Sequence, residues 1–294
     1  MKNKNYASDI KTVIDELTGL CPTENMFHPN KEGEPFPSRA IMKDSIKLTR
    51  SILFPGFFGN ASVNKTTLPY HIGVNVEKLF TMLWEQVYAG LCFDCKEEDI
   101  DLEAKREKAF TITLSFVKQL PRIKEVLRTD VEAMYKMDPA AKSYGEIIIS
   151  YPGLRAITNY RIAHELHKLQ TPIIPRIITE MAHAETGIDI HPGARIGESF
   201  AIDHGTGVVI GETCIIGNNV RIYQGVTLGA KSFPVDENNI PIKGIDRHPI
   251  IKDNVIIYAS ATILGRIIIG ENAVIGGNTW ITEDVQPNEK VFIK

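Results

Sequence analysis

The stretch IKDNVIIYASATILGRIIIGENAVIGGNTWITEDV, residues 251–285, repeats an aliphatic residue at every sixth position. The repeated residues are Ile251, Ile257, Ile263, Ile269, Ile275 and Ile281. A second set, mostly of small residues, follows four positions after each: Val255, Ala261, Ile267, Ala273, Thr279 and Val285. Neither an α-helix nor a simple amphipathic strand has this period. The spacing predicts a β-helix in which each repeat is a short strand and a turn, with the aliphatic side chain pointing inward.

The same period runs upstream of this stretch, with two interruptions. Its residues there are Ile190, Ile196, Ile202, Ile210, Ile216, Ile222 and Leu228. Eight residues instead of six separate Ile202 from Ile210, and the excess follows directly on Asp203-His204. The second interruption is the inserted segment 229–247, which ends at His248-Pro249. Irregularities in a regular scaffold often re-aim side chains or carry function, so both points are candidate site regions.

The residues before the repeats have the pattern of α-helices. From Val76 to Cys92, Leu79, Leu83, Val87 and Leu91 form one apolar stripe. Further helices are predicted over 101–118, 122–137 (with Pro121 at the start), 154–169 and 176–184. Residues 21–37 and 55–70 are predicted to be irregular. The fold class is therefore α+β, with an α-helical domain over 1–185 and a β-helix over 186–294 from which the loop 229–247 is extruded.

Composition excludes several classes of protein. The 294 residues are 43% hydrophobic and carry 33 Lys and Arg against 36 Asp and Glu, a net charge of −3. There is no basic excess for binding nucleic acid. The polar N-terminus lacks the apolar run of a signal peptide, and no stretch approaches the roughly 20 apolar residues of a membrane span. We expect a cytoplasmic protein with neither nucleic acid nor membrane as a partner.

The cysteines favour core packing over metal chemistry. Cys92 and Cys95 form a CFDC pair, but no second pair follows at the spacing of a structural zinc site. Cys214 falls at an inward repeat position. We therefore expect no metal.

The segments DIHPGARIG, DHGTGVVIGET, QGVTLGA and DRHP, in this order, resemble the serine acetyltransferases. The upstream segment MDPAAKSYGEIIISYPGLRAITNYRIAHEL is similar to the helical part that precedes the β-helix of that family. The resemblance covers residues 120–285. It implies a left-handed coil with three repeats per turn, and a reaction that transfers acetyl from acetyl-CoA to the hydroxyl of L-serine in cysteine biosynthesis.

Carried over to matching positions, the resemblance implies a catalytic His204 that pairs with Asp189. The two residues are 15 apart, close to one turn of the coil. A neutral imidazole can take the proton from a hydroxyl as it attacks a thioester, and a carboxylate can fix the tautomer of the imidazole.

Further substrate-binding residues follow from the same resemblance. It places Asp138 and Asp203 at the serine ammonium, Arg247 at its carboxylate and His248 beside the reacting groups, with Glu212 as a weaker candidate for the pocket. An amino acid calls for such a set, carboxylates for its cation and a forked guanidinium for its carboxylate.

The resemblance also locates the acetyl-CoA groove. Gly229, Ala230, Ala259 and Ser260 match positions where small residues let the pantetheine chain lie close to the backbone. At Tyr258 and Ser260 this chain departs from the glycines of the family pattern.

Three other functions remain open. An acetyltransferase for another hydroxyl, of homoserine or a sugar, would keep the fold. A zinc hydratase on the same coil would need three meeting histidines, from His191, His204 and His248. A non-catalytic scaffold would not need His204 and Asp189.

Assembly and regulation are the last expectations. The family's sites lie between neighbouring coils, so we expect a homo-oligomer, a trimer or a dimer of trimers. Family members end in a tail with a terminal isoleucine that inserts into cysteine synthase. This chain ends at Lys294 directly after the last repeat, so a complex with cysteine synthase is not expected.

Overall fold

The computed structural model describes residues 6–20, 34–59, 62–93, 101–232 and 234–293. Contacts divide the chain into two compact units, Met1–Phe36 and Pro37–Lys294. The described part of the first unit is mainly helix α1, Tyr6–Leu20. Its apolar residues Ile10, Val13, Ile14 and Leu17 lie on one face of the helix and are exposed.

The second unit begins with six helices. They are α2 (Arg39–Leu53), α3 (Leu68–Phe93), α4 (Leu102–Met137), α5 (Tyr144–Ser150), α6 (Pro152–Lys168) and α7 (Ile174–Thr186). None of the helices in the described parts of the chain is both long and apolar enough to cross a membrane. Cys92 and Cys214 are buried, whereas Cys95 lies outside the described residues.

The predicted break at Pro121 is wrong: α4 runs through it for 36 residues. A proline inside a helix removes one backbone hydrogen bond and crowds the preceding turn. The buried face of α4 nevertheless continues on both sides, through Phe116, Leu120, Ile123 and Leu127. Packing of this long apolar face therefore outweighs the local penalty. The region predicted to be irregular up to residue 70 is also shorter, since α3 begins at Leu68.

Fourteen short strands follow within the described residues. They are β1 (Asp189–Ile190), β2 (Arg195–Ile196), β3 (Ala201–Ile202), β4 (Val209–Ile210), β5 (Ile215–Ile216), β6 (Arg221–Ile222), β7 (Thr227–Gly229), β8 (Ile250–Ile251), β9 (Ile256–Ile257), β10 (Thr262–Leu264), β11 (Ile268–Ile269), β12 (Val274–Ile275), β13 (Trp280–Ile281) and β14 (Lys290–Val291). Helices thus end at Thr186 and strands begin at Asp189. The division into domains at residue 185 stays a prediction.

The strands form the three faces of a left-handed parallel β-helix. Sheet 1 has the order β1-β4-β7-β10-β13, sheet 2 β11-β8-β5-β2, and sheet 3 β14-β12-β9-β6-β3. Up to β13, each strand therefore pairs with the strand three further along the chain, and β14 pairs with β12. This pairing confirms three repeats per turn. Most of the aliphatic residues of the repeat point inward and are fully buried, among them Ile210, Ile222, Ile257 and Ile263.

The extra residues of the irregular repeats lie at the corners of the coil. Ile190 pairs with Ile210 and Ile210 with Leu228, so the first turn has two residues more than the second. Leu228 then pairs with Ile263, because the segment 229–247 leaves between sheets 1 and 2 and returns at the same corner. The pairing on either side keeps its register.

Two helices close the first turn of the coil. Asp130 of α4, which has no exposed surface, accepts hydrogen bonds from Arg161 Nε at 2.6 Å and Nη2 at 2.8 Å. The Asp130 carboxylate also accepts from Phe200 N, while Arg161 Nη2 donates to Gly197 O. From α6, the Tyr160 hydroxyl donates to Ala194 O at 2.6 Å. Side chains of the helices thus form hydrogen bonds with backbone groups at the open end of the coil.

We predict that Arg161→Met lowers the free energy of unfolding by about 3–5 kcal/mol, because it leaves Asp130 buried without a counter-ion. The matched control is Arg122→Met, which removes an exposed ion pair between α4 and Glu198. It should change stability by less than about 1 kcal/mol. Urea unfolding measures both variants, and equal losses would contradict the assigned role of Arg161.

Candidate active site

The predicted site residues collect at two corners of the coil. Asp203 and His204 lie at the corner between sheets 3 and 1, which we name the 3–1 corner. Glu212, Arg247 and His248 lie at the corner between sheets 1 and 2, the 1–2 corner. The width of sheet 1 separates the two groups within one chain.

The backbone of the 3–1 corner aims His204 outward. His204 has φ +55°, in the left-handed region, and its side chain is 73% exposed. Gly205 follows with φ +90°, and a Cβ there would lie 2.4 Å from Ile188 Cδ1. The two extra residues of this turn therefore need a glycine at Gly205 to pass over the core. His204 Nε2 lies 3.8 Å from Asp203 Oδ1.

Asp138 comes to the same corner from the end of α4. Its carboxylate accepts hydrogen bonds from the Tyr151 hydroxyl and from Ala140 N. These two bonds, the first above all, lower the pKa of Asp138, with a smaller contribution from nearby His204. The bond to Asp138 in turn raises the pKa of Tyr151 to about 12. Asp138 is thus held ionised, next to a tyrosine held protonated.

Asp189 lies on sheet 1, near the corner that carries His204. Gly207 N, three residues after His204, donates to Gly187 O at 2.8 Å, two residues before Asp189. No hydrogen bond or ion pair joins the described side chains of Asp189 and His204. Instead, Asp189 lies in a cluster with Glu180 and His183 of α7. One carboxylate oxygen of each acidic residue and one ring nitrogen of His183 all lie within 4.8 Å of one another. The pairing of Asp189 with His204 stays a prediction.

Arg247 is held at the 1–2 corner by Glu212. Arg247 Nη2 donates to Glu212 Oε2 at 2.9 Å, and Nη1 donates to Ile245 O at 3.3 Å. Arg247 Nε is buried without a partner. Burial opposes ionisation of Glu212, but the hydrogen bond from Arg247 and the charge of its guanidinium outweigh burial and lower the pKa of Glu212.

Thr213 fixes the tautomer of His248. His248 Nδ1 accepts from Thr213 N at 3.0 Å and lies 2.8 Å from Thr213 Oγ1. A nitrogen that accepts a backbone N–H carries no proton, so neutral His248 is protonated on Nε2. Burial lowers the pKa of His248 to about 4, with Arg247 adding to the effect. The ring packs on Gly211, where a Cβ would lie 2.2 Å from Nε2.

The next turn of the coil anchors the long loop. Arg266 Nη1 donates to Thr213 O at 2.7 Å and to His248 O at 2.9 Å, while Nη2 reaches Asp246 Oδ2 at 2.9 Å. The described part of the loop tip is a hairpin in which Asp236 Oδ1 accepts from Asn238 N and Ile240 N. The loop therefore presents Arg247 and His248 from a fixed base.

His191 shares the environment of this corner. His191 Nδ1 accepts from Gly193 N at 3.0 Å, which is a turn contact within the first coil. Burial lowers the pKa of His191 to about 4.

The residues predicted for the acetyl-CoA groove lie at the same two corners. Gly229 ends β7 and, with Ala230, opens the loop at the 1–2 corner. Ala259 and Ser260 form the 3–1 corner before β10, where Ser260 has φ +60°. Ser260 also packs on Gly225, since a Cβ on Gly225 would lie 2.9 Å from Ser260 Oγ. Small residues are therefore required where successive turns meet.

Sequence reasoning did not single out Tyr151, Thr213 or Arg266. Tyr151 and Thr213 lie inside the quoted motif segments, beside Pro152 and Glu212 respectively. The feature of the sequence that could have identified them is a side-chain hydroxyl next to a residue of a quoted motif. Arg266 lies in an ordinary repeat, and only the fold brings it to the loop.

The histidines predict a pH dependence of stability. His191 and His248 keep pKa values of about 4 in the folded chain, whereas an unfolded histidine titrates near about 6.5. Between these values the unfolded chain binds more protons, so the free energy of unfolding falls as pH is lowered from 7.5 to 4.5. We expect a shallower fall in His248→Gln, measured by urea unfolding across this range.

The matched control for this experiment is His183→Gln, because His183 lies on the exposed surface of α7. The slope of this variant is the reference against which the slope of His248→Gln is compared. A His248→Gln slope equal to that of the unaltered protein would show that His248 does not contribute.

Comparison with known proteins identifies the family. The profile "Serine acetyltransferase, N-terminal" matches residues 91–159, and "Bacterial transferase hexapeptide (six repeats)" matches 248–283. The plasmid serine acetyltransferase of Synechococcus elongatus is 50% identical over 254 residues, 85% of this chain and 80% of that protein. The serine acetyltransferase of Bacillus subtilis is 48% identical over 160 residues, 54% of this chain and 70% of that protein.

Solved structures agree with these relatives. Entamoeba histolytica serine acetyltransferase 1, solved with L-cysteine, has a TM-score of 0.74 at 36% identity and covers 98% of both chains. Neisseria gonorrhoeae serine acetyltransferase, solved with serine, has a TM-score of 0.56 at 28% identity, covering 90% of this chain and 98% of that one. The chain therefore belongs to the serine acetyltransferase family and is an acyltransferase of the hexapeptide-repeat type.

Proposed function

We propose that this protein transfers acetyl from acetyl-CoA to the hydroxyl of L-serine, giving O-acetylserine and CoA for cysteine biosynthesis. The observation that carries the proposal is the separation of charge along sheet 1. Carboxylates gather at the 3–1 corner, and a guanidinium with a neutral imidazole lies at the 1–2 corner. Together they complement the ammonium, the carboxylate and the reacting hydroxyl of one amino acid.

The 3–1 corner is the half that binds the ammonium and accepts the proton. Asp138, held ionised by Tyr151, and Asp203 supply the negative charge for the ammonium. His204 is exposed beside them, and its imidazole is the general base. In the proposed site Asp189 orients this imidazole and fixes its tautomer. A sugar acceptor would leave this acidic corner without a cation to bind.

The 1–2 corner is the half that binds the carboxylate. Arg247 is oriented by Glu212, and one hydrogen on each of Nη1 and Nη2 remains for the serine carboxylate. His248 is kept neutral with its proton on Nε2, so it donates one hydrogen bond towards the reacting groups.

The two halves belong to different copies of the chain in the proposed site. Within one chain they face away from each other across sheet 1. In a ring of copies related by rotation, the 3–1 corner of one copy meets the 1–2 corner of the next. The groove residues support the same arrangement, because Gly229 and Ala230 lie at one corner and Ala259 and Ser260 at the other.

The chemical step needs no covalent enzyme intermediate. His204 removes the proton from the serine hydroxyl as its oxygen attacks the thioester carbonyl, forming the new C–O bond. The C–S bond then breaks, and the CoA thiolate takes the proton back from the imidazolium. Base catalysis of this kind contributes about 10²–10⁴ in rate.

We predict that His204→Ala lowers kcat with L-serine by at least about a hundredfold, since the general base is lost. Asp189→Asn should lower kcat less, because the base itself remains. Release of free thiol from acetyl-CoA measures both variants. Turnover of His204→Ala near that of the unaltered protein would remove His204 from the mechanism.

The matched control is His71→Ala in α3, a histidine outside both corners, which should leave kcat unchanged. The same assay with L-homoserine and a panel of sugars tests the acceptor. Faster turnover with one of these than with L-serine would replace the proposed substrate by the runner-up.

We predict that inactive His204→Ala and Arg247→Ala chains complement each other when co-expressed. If each site joins His204 of one copy to Arg247 of the next, about a quarter of the sites in randomly mixed rings regain both residues. Thiol release then rises to about a quarter of the unaltered rate. Activity that stays at the level of the single variants would place the whole site in one chain.

A further inference from the structure

A basic cavity outside the proposed site lies between α2, α6 and α7. Its volume is about 570 Å³. Five cationic side chains line it: Arg39, Lys43, Lys47, Arg50 and Arg155. The only carboxylate in its lining is Glu185, which is bonded to Arg155. The whole chain has a net charge of −3, so this concentration of positive charge is local.

Arg50 is the buried cation of this cavity. It is 7% exposed, and no hydrogen bond or ion pair from the described residues reaches its guanidinium. Its guanidinium lies over an aromatic face, with Cζ 3.9 Å from the centroid of the Phe58 ring. Burial lowers the pKa of Arg50 to about 10, and neighbouring Arg155 adds to the effect. The charge of Glu185, which is bonded to Arg155, offsets this effect only in part. A buried charge without a hydrogen-bond partner is unfavourable, so Arg50 is poorly compensated here.

Asn159 is a second unpartnered group in the same lining. It is 3% exposed, and its Oδ1 is buried without a hydrogen bond. Its position on α6 faces the cavity, four residues after Arg155. Buried polar atoms in native proteins are nearly always bonded to protein or to water, so this amide oxygen is open to an N–H or O–H of a bound molecule.

We propose that this cavity binds a small metabolite that carries a phosphate or sulfate ester together with a hydrogen-bond donor. The tetrahedral anion contacts Arg50 and Arg155, because forked guanidinium groups pair well with such oxyanions. The donor group contacts Asn159 Oδ1. The first turn of the 15-residue helix α2, at Arg39 and Ala40, also lines the cavity and adds its positive end.

Size argues for an organic ligand. The cavity falls within the range of about 300–1,000 Å³ that is usual for small-molecule sites. Ile46, Met181 and Ala184 supply an apolar part of the wall for the remainder of the molecule. No aromatic side chain lines the cavity among the described residues, so nothing there stacks on a nucleobase.

The cavity is close to the 3–1 corner without being part of it. Arg155 N donates to Tyr151 O, one helical turn from the tyrosine that bonds Asp138. The proposal does not depend on the acetyl transfer, since it concerns binding alone.

The experiment titrates the full chain with inorganic phosphate and, separately, with sulfate, by calorimetry and thermal unfolding. Chloride at equal ionic strength is the reference. We expect saturable binding and a rise in Tm with at least one oxyanion beyond that of chloride. Comparing the affinity for phosphate with that for sulfate shows whether the cavity favours a phosphate ester or a sulfate ester. Responses identical to chloride for both would overturn the proposal.

A charge-reversed variant localises the binding. Arg39→Glu with Lys43→Glu changes two exposed residues of α2, and it should weaken oxyanion binding by at least about tenfold. The matched control is Lys78→Glu with Lys118→Glu, which makes the same change in net charge on α3 and α4. Equal weakening in both variants, or none in the first, would overturn the site.

Arg50→Met gives an independent readout. Replacing a buried, unpaired charge by an apolar side chain of similar length should raise the Tm of the protein without added anion. The same change should abolish the rise in Tm on adding phosphate or sulfate. A lower Tm together with an unchanged response to the anion would contradict the role assigned to Arg50.

Discussion

The pairing of every strand with the strand one turn away is the constraint on which the rest of this structure depends. Each inward aliphatic residue rests on its equivalent above and below, as Ile210 does on Ile190 and Leu228. A shift of register would displace the whole column of inward side chains. Extra residues are therefore excluded from the faces of the coil and are accommodated at its corners. Both departures from the six-residue period accordingly lie at corners of sheet 1.

The corners impose a conformation as well as a position. Between short strands the chain must turn sharply, and many corner residues have positive φ, including Asn219, Asn254, Asn272 and Ser260. Asparagines suit these positions because they tolerate the left-handed region. Asn219 Nδ2 also donates to Asn254 Oδ1 at 2.8 Å on the next turn. His204 occupies the same kind of position at φ +55°. A catalytic side chain in the proposed site is thus aimed by the geometry that forms the scaffold.

The helices contribute the groups that the coil cannot supply. The coil exposes unpaired backbone groups at its first turn, and Asp130, Arg161 and Tyr160 take them up. The same docking brings Asp138 at the end of α4 and Tyr151 at the start of α6 to the 3–1 corner. The same packing of α4 and α6 on the first turn therefore stabilises the end of the coil and positions the proposed ammonium-binding carboxylate. This is the physical reason for expecting half of the proposed serine site to depend on helices far from the β-helix in sequence.

The sequence alone determined the coil, the places where it is interrupted and the residues found there. A six-residue period is a local property, and so are the pairs Asp203-His204 and Arg247-His248 beside the interruptions. Tertiary structure alone decided what depends on distant contacts. It kept α4 continuous through Pro121, because a buried face outweighs one lost hydrogen bond. It set Thr213 against His248 across 35 residues, brought Arg266 to the loop, and left Arg50 and Asn159 unpartnered in one cavity. Such contacts follow from packing between turns and helices, which no local pattern encodes.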